Sequence, residues 1–240
     1  MRDSASQPVS DPPAPAAPAM SNLALRAVSA MILAPIAVGA AWLGSWPFAV
    51  FWAAAAAAVL WEWTKLVTGL IWTMAGIGYA GIMLLAPLLL RTDNTYGFLA
   101  LVLLFAIVWT TDILGYFAGR AIGGPKLLPA ISPKKTWSGA IAGTLGAMIV
   151  AVLVANYFGA FNTTAIAIIA LLLSIMAQLG DLLESWVKRQ FGAKDASHLI
   201  PGHGGVMDRL DGFWAAALVG CVIGLLHGGF DGAARGLLVW

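Results

Sequence analysis

Charge is scarce in this chain: 13 basic and 11 acidic residues stand among 240. Globular domains carry roughly 25% charged residues, so 10% charged and 60% hydrophobic, with a mean hydropathy of +0.87, exclude a soluble fold. Cysteine is scarcer still. The lone Cys221 excludes an internal disulfide and a thiolate metal site, and its apolar setting reads as packing. A net charge of +2 gives no argument for nucleic acid. What these absences leave is an all-α, polytopic integral membrane protein.

Residues 1–22 open with a run rich in Pro, Ala and Ser and without apolar periodicity, which reads as a disordered cytosolic tail. It has no hydrophobic region of its own, so the first apolar run is expected to act as an uncleaved anchor. Seven apolar stretches follow, at about 25–43, 46–66, 70–90, 96–117, 137–158, 164–186 and 212–229. Each is near the roughly 20 residues a bilayer requires. The break between the second and third is only Val67-Thr68-Gly69. Trp42, Trp46, Trp61, Trp63, Trp72, Trp137 and Trp186 lie near span ends, as interface anchors do. These stretches divide into N-terminal membrane helices over 23–95 and a catalytic membrane region over 96–240, with polar loops at 118–136 and 187–211.

The basic residues orient the spans. With the N-terminus in the cytosol and seven crossings, eleven of them fall inside and only Arg91 and Arg235 fall outside. That asymmetry is the positive-inside signature, and it turns both polar loops toward the cytosol.

Nine charged residues crowd between Asp181 and Asp211: these two, Glu184, Lys188, Arg189, Lys194, Asp195, Asp208 and Arg209. Charge beside a membrane span marks a functional site by default. On a helix Gln178, Asp181, Ser185 and Lys188 share one face, with Glu184 beside it. Beyond them His203, Gly204 and Gly205 form a turn that lets backbone approach a ligand. His203 there suits either a phosphate contact or a turn cap; His198 and His227 read as structural or solvated.

Two smaller groups accompany this stretch. Asp112 sits near the cytosolic end of the fourth span, either facing a cavity or pairing with Arg120. In the loop before the fifth span, Ser132 followed by Pro133 reads as an N-cap with proline at the first helical position. Lys134, Lys135 and Thr136 would then occupy a helix N-terminus suited to phosphate. A polybasic contact with anionic headgroups is the equal alternative. Carboxylates interleaved with Lys and Arg suit a divalent ion that carries phosphate oxygens. Structural ion pairs such as Glu184 with Lys188 or Asp208 with Arg209 are the alternative.

The run Ser185-x-Val187-Lys188-Arg189-x4-Lys194-Asp195-x-Ser197-x2-Ile200-Pro201-x-His203-Gly204-Gly205-Val206-x-Asp208-Arg209-Leu210-Asp211 resembles the signature of the phosphatidate cytidylyltransferases, the CDP-diacylglycerol synthases. Gln178-Leu179-Gly180-Asp181-Leu182-x-Glu184-Ser185 and Ser132-Pro133-Lys134-Lys135-Thr136 are similar to motifs of the same family. The resemblance covers about residues 108–215; the first three spans match only as hydrophobic filler. Ser138 is a departure, where the family more often has Glu.

The resemblance implies CMP transfer from CTP to phosphatidic acid, with pyrophosphate leaving. It also implies Mg²⁺ as cofactor, with room for a second, monovalent cation, and a multi-pass protein of the bacterial inner membrane whose active site faces the cytosol. Asp181 and Asp208 are the expected metal ligands, with Asp211, Glu184 and Asp112 as auxiliary acids. Lys188, Arg189, Lys194 and Arg209 are expected on the CTP phosphates or pyrophosphate, and Lys134 and Lys135 on a phosphate of either substrate. Ser132, Thr136, Ser185, Asp195, Gly204 and Gly205 complete the site. CTP, phosphatidic acid and membrane lipids are the expected partners, with a homodimer as candidate assembly and no nucleic acid. A CTP-dependent transferase of another lipid phosphate or lipid alcohol is the nearest alternative, and an ion-coupled transporter a remote one.

Overall fold

A chain in hydrocarbon must satisfy its backbone polar groups internally, so apolar runs of this length become helices. The structure, a computed structural model, describes residues 22–159, 161–197, 199 and 204–240, with side chains from residue 31 onward. The tail expected over 1–22 lies outside the described residues but for Asn22. The elements are α1 (Asn22–Leu43), α2 (Ser45–Leu66), α3 (Leu70–Arg91), α4 (Gly97–Ile122), β1 (Lys126–Leu128), β2 (Ser132–Thr136), α5 (Trp137–Phe158), α6 (Thr163–Gln190), α7 (Met207–Gly228) and α8 (Ala233–Leu238), with a 3₁₀ turn before α8. Helices α2 to α7 are each long and apolar enough to cross a membrane. The protein is an all-α, membrane-integral bundle.

Helix α4 lies at its centre. Leu101, Leu103, Leu104 and Ile107 are fully buried, and α4 meets α1, α3, α5, α6, α7 and α8. Its closest neighbour is α5, through glycines. A Cβ at Gly139 would lie 2.5 Å from the Gly115 carbonyl oxygen, and one at Gly143 2.5 Å from that of Thr111. Small residues let membrane helices approach backbone to backbone, where dispersion and interhelical hydrogen bonds replace the absent hydrophobic drive. The hydrogen bonds run through the hydroxyls of Thr111, Ser174 and Thr144 and the amide of Gln178, at 2.8, 3.1 and 2.9 Å, joining α4, α6 and α5.

Helix α7 is docked by aromatic rings. Phe213 stacks on Trp52 of α2 and Phe105 of α4, and Trp214 stacks on Tyr79 of α3 at 4.5 Å while donating to the Tyr79 carbonyl. Cys221 is buried and free, as a packing residue should be. His227 caps locally, its Nδ1 2.8 Å from the Gly236 carbonyl and its ring stacked on Trp240. Most of the expected interface tryptophans are exposed, but Trp63 is a core residue. Its Nε1 donates to the Trp72 carbonyl at 2.7 Å, and its ring fills the space over Gly76, where a Cβ would come within 2.2 Å.

Some boundaries differ from the hydropathy pattern. Helix α4 runs to Ile122 and α7 begins at Met207, because polar turns above the hydrocarbon keep their helical hydrogen bonds without an apolar signal. The Ser132–Pro133 helix start is corrected. Residues 132–136 form a strand, with Leu128 paired to Ser132 and Lys126 to Thr136, and Pro133 fits the extended backbone. Thr136 is the real cap of α5, accepting from the Gly139 amide at 3.2 Å. Overpacking the α4–α5 crossing should cost about 1–3 kcal/mol. Gly143→Val is therefore expected to lower the thermal unfolding midpoint in detergent, and an unchanged midpoint would contradict this crossing.

Candidate active site

The site is built where the C-terminal turns of α6 meet the N-terminal turns of α7. Their approach is set by Gly180 and Gly212. A Cβ at Gly180 would sit 2.5 Å from the Asp211 carbonyl oxygen, and one at Gly212 3.2 Å from that of Ala177. This contact brings Asp181 beside Asp211, and the helical spacing adds Glu184 one turn on. Carboxylate oxygens of Asp181, Glu184 and Asp211 lie within 4.8 Å of one another, a spacing at which three acids can share one cation.

Two lysines flank the group. Lys135, carried on β2, forms an ion pair with Asp181 Oδ2. Lys188 is buried between two acids, 2.7 Å from Glu184 Oε2 and 2.5 Å from Asp208 Oδ1. The contact with Glu184 is an ion pair outside hydrogen-bond geometry, and Glu184 Oε1 has no hydrogen-bond partner among the described residues although its side chain is buried. A buried carboxylate oxygen without a donor is costly, and a cation shared with Asp181 and Asp211 would satisfy it. The donor set, three carboxylates with no sulfur or imidazole among them, suits a hard divalent ion.

The other expected residues fall into place around this group. Ser185 Oγ donates to Asp181 Oδ1 at 3.3 Å. Asp208 is not one of the three clustered acids. Its Oδ1 meets Lys188 and its Oδ2 accepts from the amides of Ala196 and Gly205 at 3.0 and 2.7 Å, so it ties α6 and the 196–205 segment to α7. Asp112 is exposed on the surface of α4, within electrostatic reach of Asp181, Lys135 and Arg209; Arg120 donates instead to the Tyr116 hydroxyl. Lys134, Lys194, Asp195 and Arg209 are exposed, as is Arg189, which donates to the Ala193 carbonyl. Thr136 caps α5 through its side-chain hydroxyl, and Ser132 is a strand residue paired with Leu128. Ser138 bridges Thr136 and the Gly123 carbonyl. Gly204, with φ +84°, and Gly205 stand before α7; His203 lies outside the described residues.

One residue escaped the sequence reading. Glu62 of α2 is fully buried and accepts from Ser197 Oγ at 2.6 Å and from the Val206 and Met207 amides at 2.8 and 2.7 Å. A lone acid inside an apolar span was the available signal. Beside Glu184 an apolar cavity of about 330 Å³ opens between α2, α3, α6 and α7, walled by Trp63, Trp72, Tyr79, Trp186 and Trp214.

Fold and site together define a membrane-embedded protein with an acid-and-lysine centre at one end of its bundle. A profile described as the cytidylyltransferase family matches residues 68–226. The phosphatidate cytidylyltransferase of Brucella abortus biovar 1 (strain 9-941) is 42% identical over 247 residues, covering 82% of this chain and 92% of that protein. Those of Rickettsia bellii and Rickettsia conorii are 38% and 36% identical, covering 80% and 83% of this chain and 86% and 90% of their own lengths. The chain belongs to the cytidylyltransferase family, and its enzyme class is nucleotidyltransferase.

Lys188 gives a direct test of the site's electrostatics. Lys188→Met would leave Glu184 and Asp208 without their shared counter-charge, and breaking a buried pair costs about 3–5 kcal/mol. Thermal unfolding in detergent should register that loss, while exposed Lys134→Met should stay within about 0.5 kcal/mol of the parent. Equal midpoints for the two variants would contradict the assignment.

Proposed function

We propose that the chain transfers CMP from CTP to phosphatidic acid, giving CDP-diacylglycerol and pyrophosphate, at the cytosolic face of a bacterial inner membrane. The observation that carries this reading is the gathering of Asp181, Glu184 and Asp211 with Lys135 and Lys188 at one end of the bundle. The names of the relatives support the substrate, and the eleven-to-two distribution of basic residues supports the cytosolic side.

Asp181, Glu184 and Asp211 would hold Mg²⁺, a revision of the expected Asp181–Asp208 pair that rests on the spacing of the acids. The bound ion would neutralise phosphate charge and orient phosphate oxygens. Lys135, on its hairpin at the mouth of the site, neutralises further phosphate charge, and Lys134, Lys194, Arg189 and Arg209 on the rim draw CTP and pyrophosphate from the cytosol. Asp208 orients the segment before α7 and keeps Lys188 in place. The apolar cavity beside Glu184 suits the lipid's chains, with the phosphate directed to the acids. An oxygen of the lipid phosphate attacks the α-phosphorus of CTP, the bond to the β-phosphate oxygen breaks, and pyrophosphate leaves. The lipid phosphate is largely a dianion at neutral pH, since its second pKa is about 6, so positioning and charge neutralisation suffice.

The test is product formation by purified protein in detergent with CTP, phosphatidic acid and Mg²⁺. CDP-diacylglycerol is expected, with activity lost on chelation and reduced at least about 100-fold in Asp181→Asn. Product only with another lipid phosphate or lipid alcohol would transfer the reading to that substrate. No product from any of them, or near-normal activity in Asp181→Asn, would overturn it.

A further inference from the structure

Glu62 stands apart from the acids above in chemistry and in origin. It lies on α2, outside residues 68–226 that match the family profile, one turn before that helix ends at Leu66. A buried carboxylate costs several kcal/mol unless it is paired or fully hydrogen-bonded. Among the described residues, the ion pairs Lys135–Asp181, Lys188–Glu184 and Lys188–Asp208 involve other acids. Glu62 is compensated by donors instead: Ser197 Oγ and the Val206 amide on Oε1, and the Met207 amide on Oε2.

Those two amides open α7. Val206 is its N-cap residue, its side chain makes no capping hydrogen bond, and Met207 is the first helical residue. A helix start needs acceptors for its free N–H groups and favours negative charge. Glu62 supplies both from a different helix. The arrangement also fixes residue 205. A Cβ at Gly205 would fall 2.6–2.8 Å from the Glu62 carboxyl atoms, so only glycine leaves them room. Ser197 on one side of the 198–205 segment and Val206 on the other are held by the same oxygen.

What this clamp orients is the first turn of α7, which carries Asp208 and leads directly into Asp211. Successive residues project about 100° apart around a helix of 3.6 residues per turn. A small rotation or slide of that turn therefore swings the Asp211 carboxylate relative to Asp181 and Glu184 on α6. We infer that Glu62 is a positioning residue, a cap supplied by α2 that sets the start of α7 and so the spacing of the three-acid group. The inference rests on the proposed role of that group in holding the divalent ion. It makes α2 part of the site rather than membrane packing.

The experiment uses the full chain in detergent as wild type, Glu62→Gln and Ser197→Ala. Two readouts are taken: binding of Mn²⁺ alone, followed by the electron paramagnetic resonance of the free ion, and turnover against Mg²⁺ concentration. Glutamine offers one acceptor oxygen and sets an NH₂ against donors, so it loses at least one of the three bonds and the charge. Residues that orient metal ligands typically alter metal affinity by 10–100-fold. Glu62→Gln is expected to raise half-saturating Mn²⁺ and Mg²⁺ by about tenfold or more. KM for CTP at saturating Mg²⁺ should stay within about twofold. Ser197→Ala should move both metal constants the same way by less, which preserves the test if Glu62→Gln does not fold.

A purely structural role would lower Vmax with the folded fraction and leave both half-saturation points unchanged, and that result overturns the inference. Wild type that binds Mn²⁺ while the variants bind it equally well removes the role of Glu62 alone. Wild type without saturable Mn²⁺ binding removes the three-acid metal reading, and the inference with it.

Discussion

The site depends on a backbone contact, the approach of α6 and α7 at Gly180 and Gly212. With a side chain at residue 180, its Cβ would have to share space with the Asp211 carbonyl oxygen and the Ala215 methyl. The helices would part and Asp181 would no longer face Asp211. Bringing three carboxylates within 4.8 Å opposes their mutual repulsion. The packing that resists this is aromatic and lies in the next turn of α7, where Phe213 and Trp214 are stacked on α2, α3 and α4. Close-packed helices have few intermediate positions to relax into, so the three acids stay at this spacing. Lys135 and Lys188 offset it from the two sides.

The acids at this edge of the membrane are distinguished by the donors that meet them. Asp208 receives a lysine and two amides, and Glu62 receives a hydroxyl and two amides. Both have their acceptor capacity directed to the protein, and both hold the segment before α7. Glu184 keeps a buried oxygen with no donor among the described residues, and Asp211 accepts from the amide of Gly212, its own neighbour in sequence. Acids of one residue type thus divide into those that hold the protein and those open to a ligand. Charge counting alone would treat them alike.

That division explains what the sequence could disclose. Span positions were legible because hydropathy records the hydrocarbon. The break at Val67-Thr68-Gly69 appears where expected, and α6 continues past the apolar run to Gln190. The shared face of Asp181, Ser185 and Lys188 was legible because helical spacing is local. The role of Asp208 was not, since its partners Lys188 and Ala196 come from other elements. Glu62 was less legible still, with partners 135 to 145 residues away. The Ser132-Pro133 pair misled for the same reason: a cap is a local pattern, but pairing with β1 decided the backbone.

Beneath the acids the bundle offers little freedom. Gln178, one turn before Asp181, starts a chain of buried polar groups through Thr144 and Ser174 to Thr111, and α4 and α5 touch at glycine directly above it. Shear among α4, α5 and α6 would break several interhelical hydrogen bonds, each worth about 0.6 kcal/mol, and open a close-packed seam. The floor of the site is therefore fixed. Arg189 and Arg209 stand on the ends of α6 and α7, while Lys134 and Lys135 ride instead on the β1–β2 hairpin and Lys194 on the segment after α6. Adjustment to a charged ligand falls to these elements, because a change there costs surface contacts and not the core.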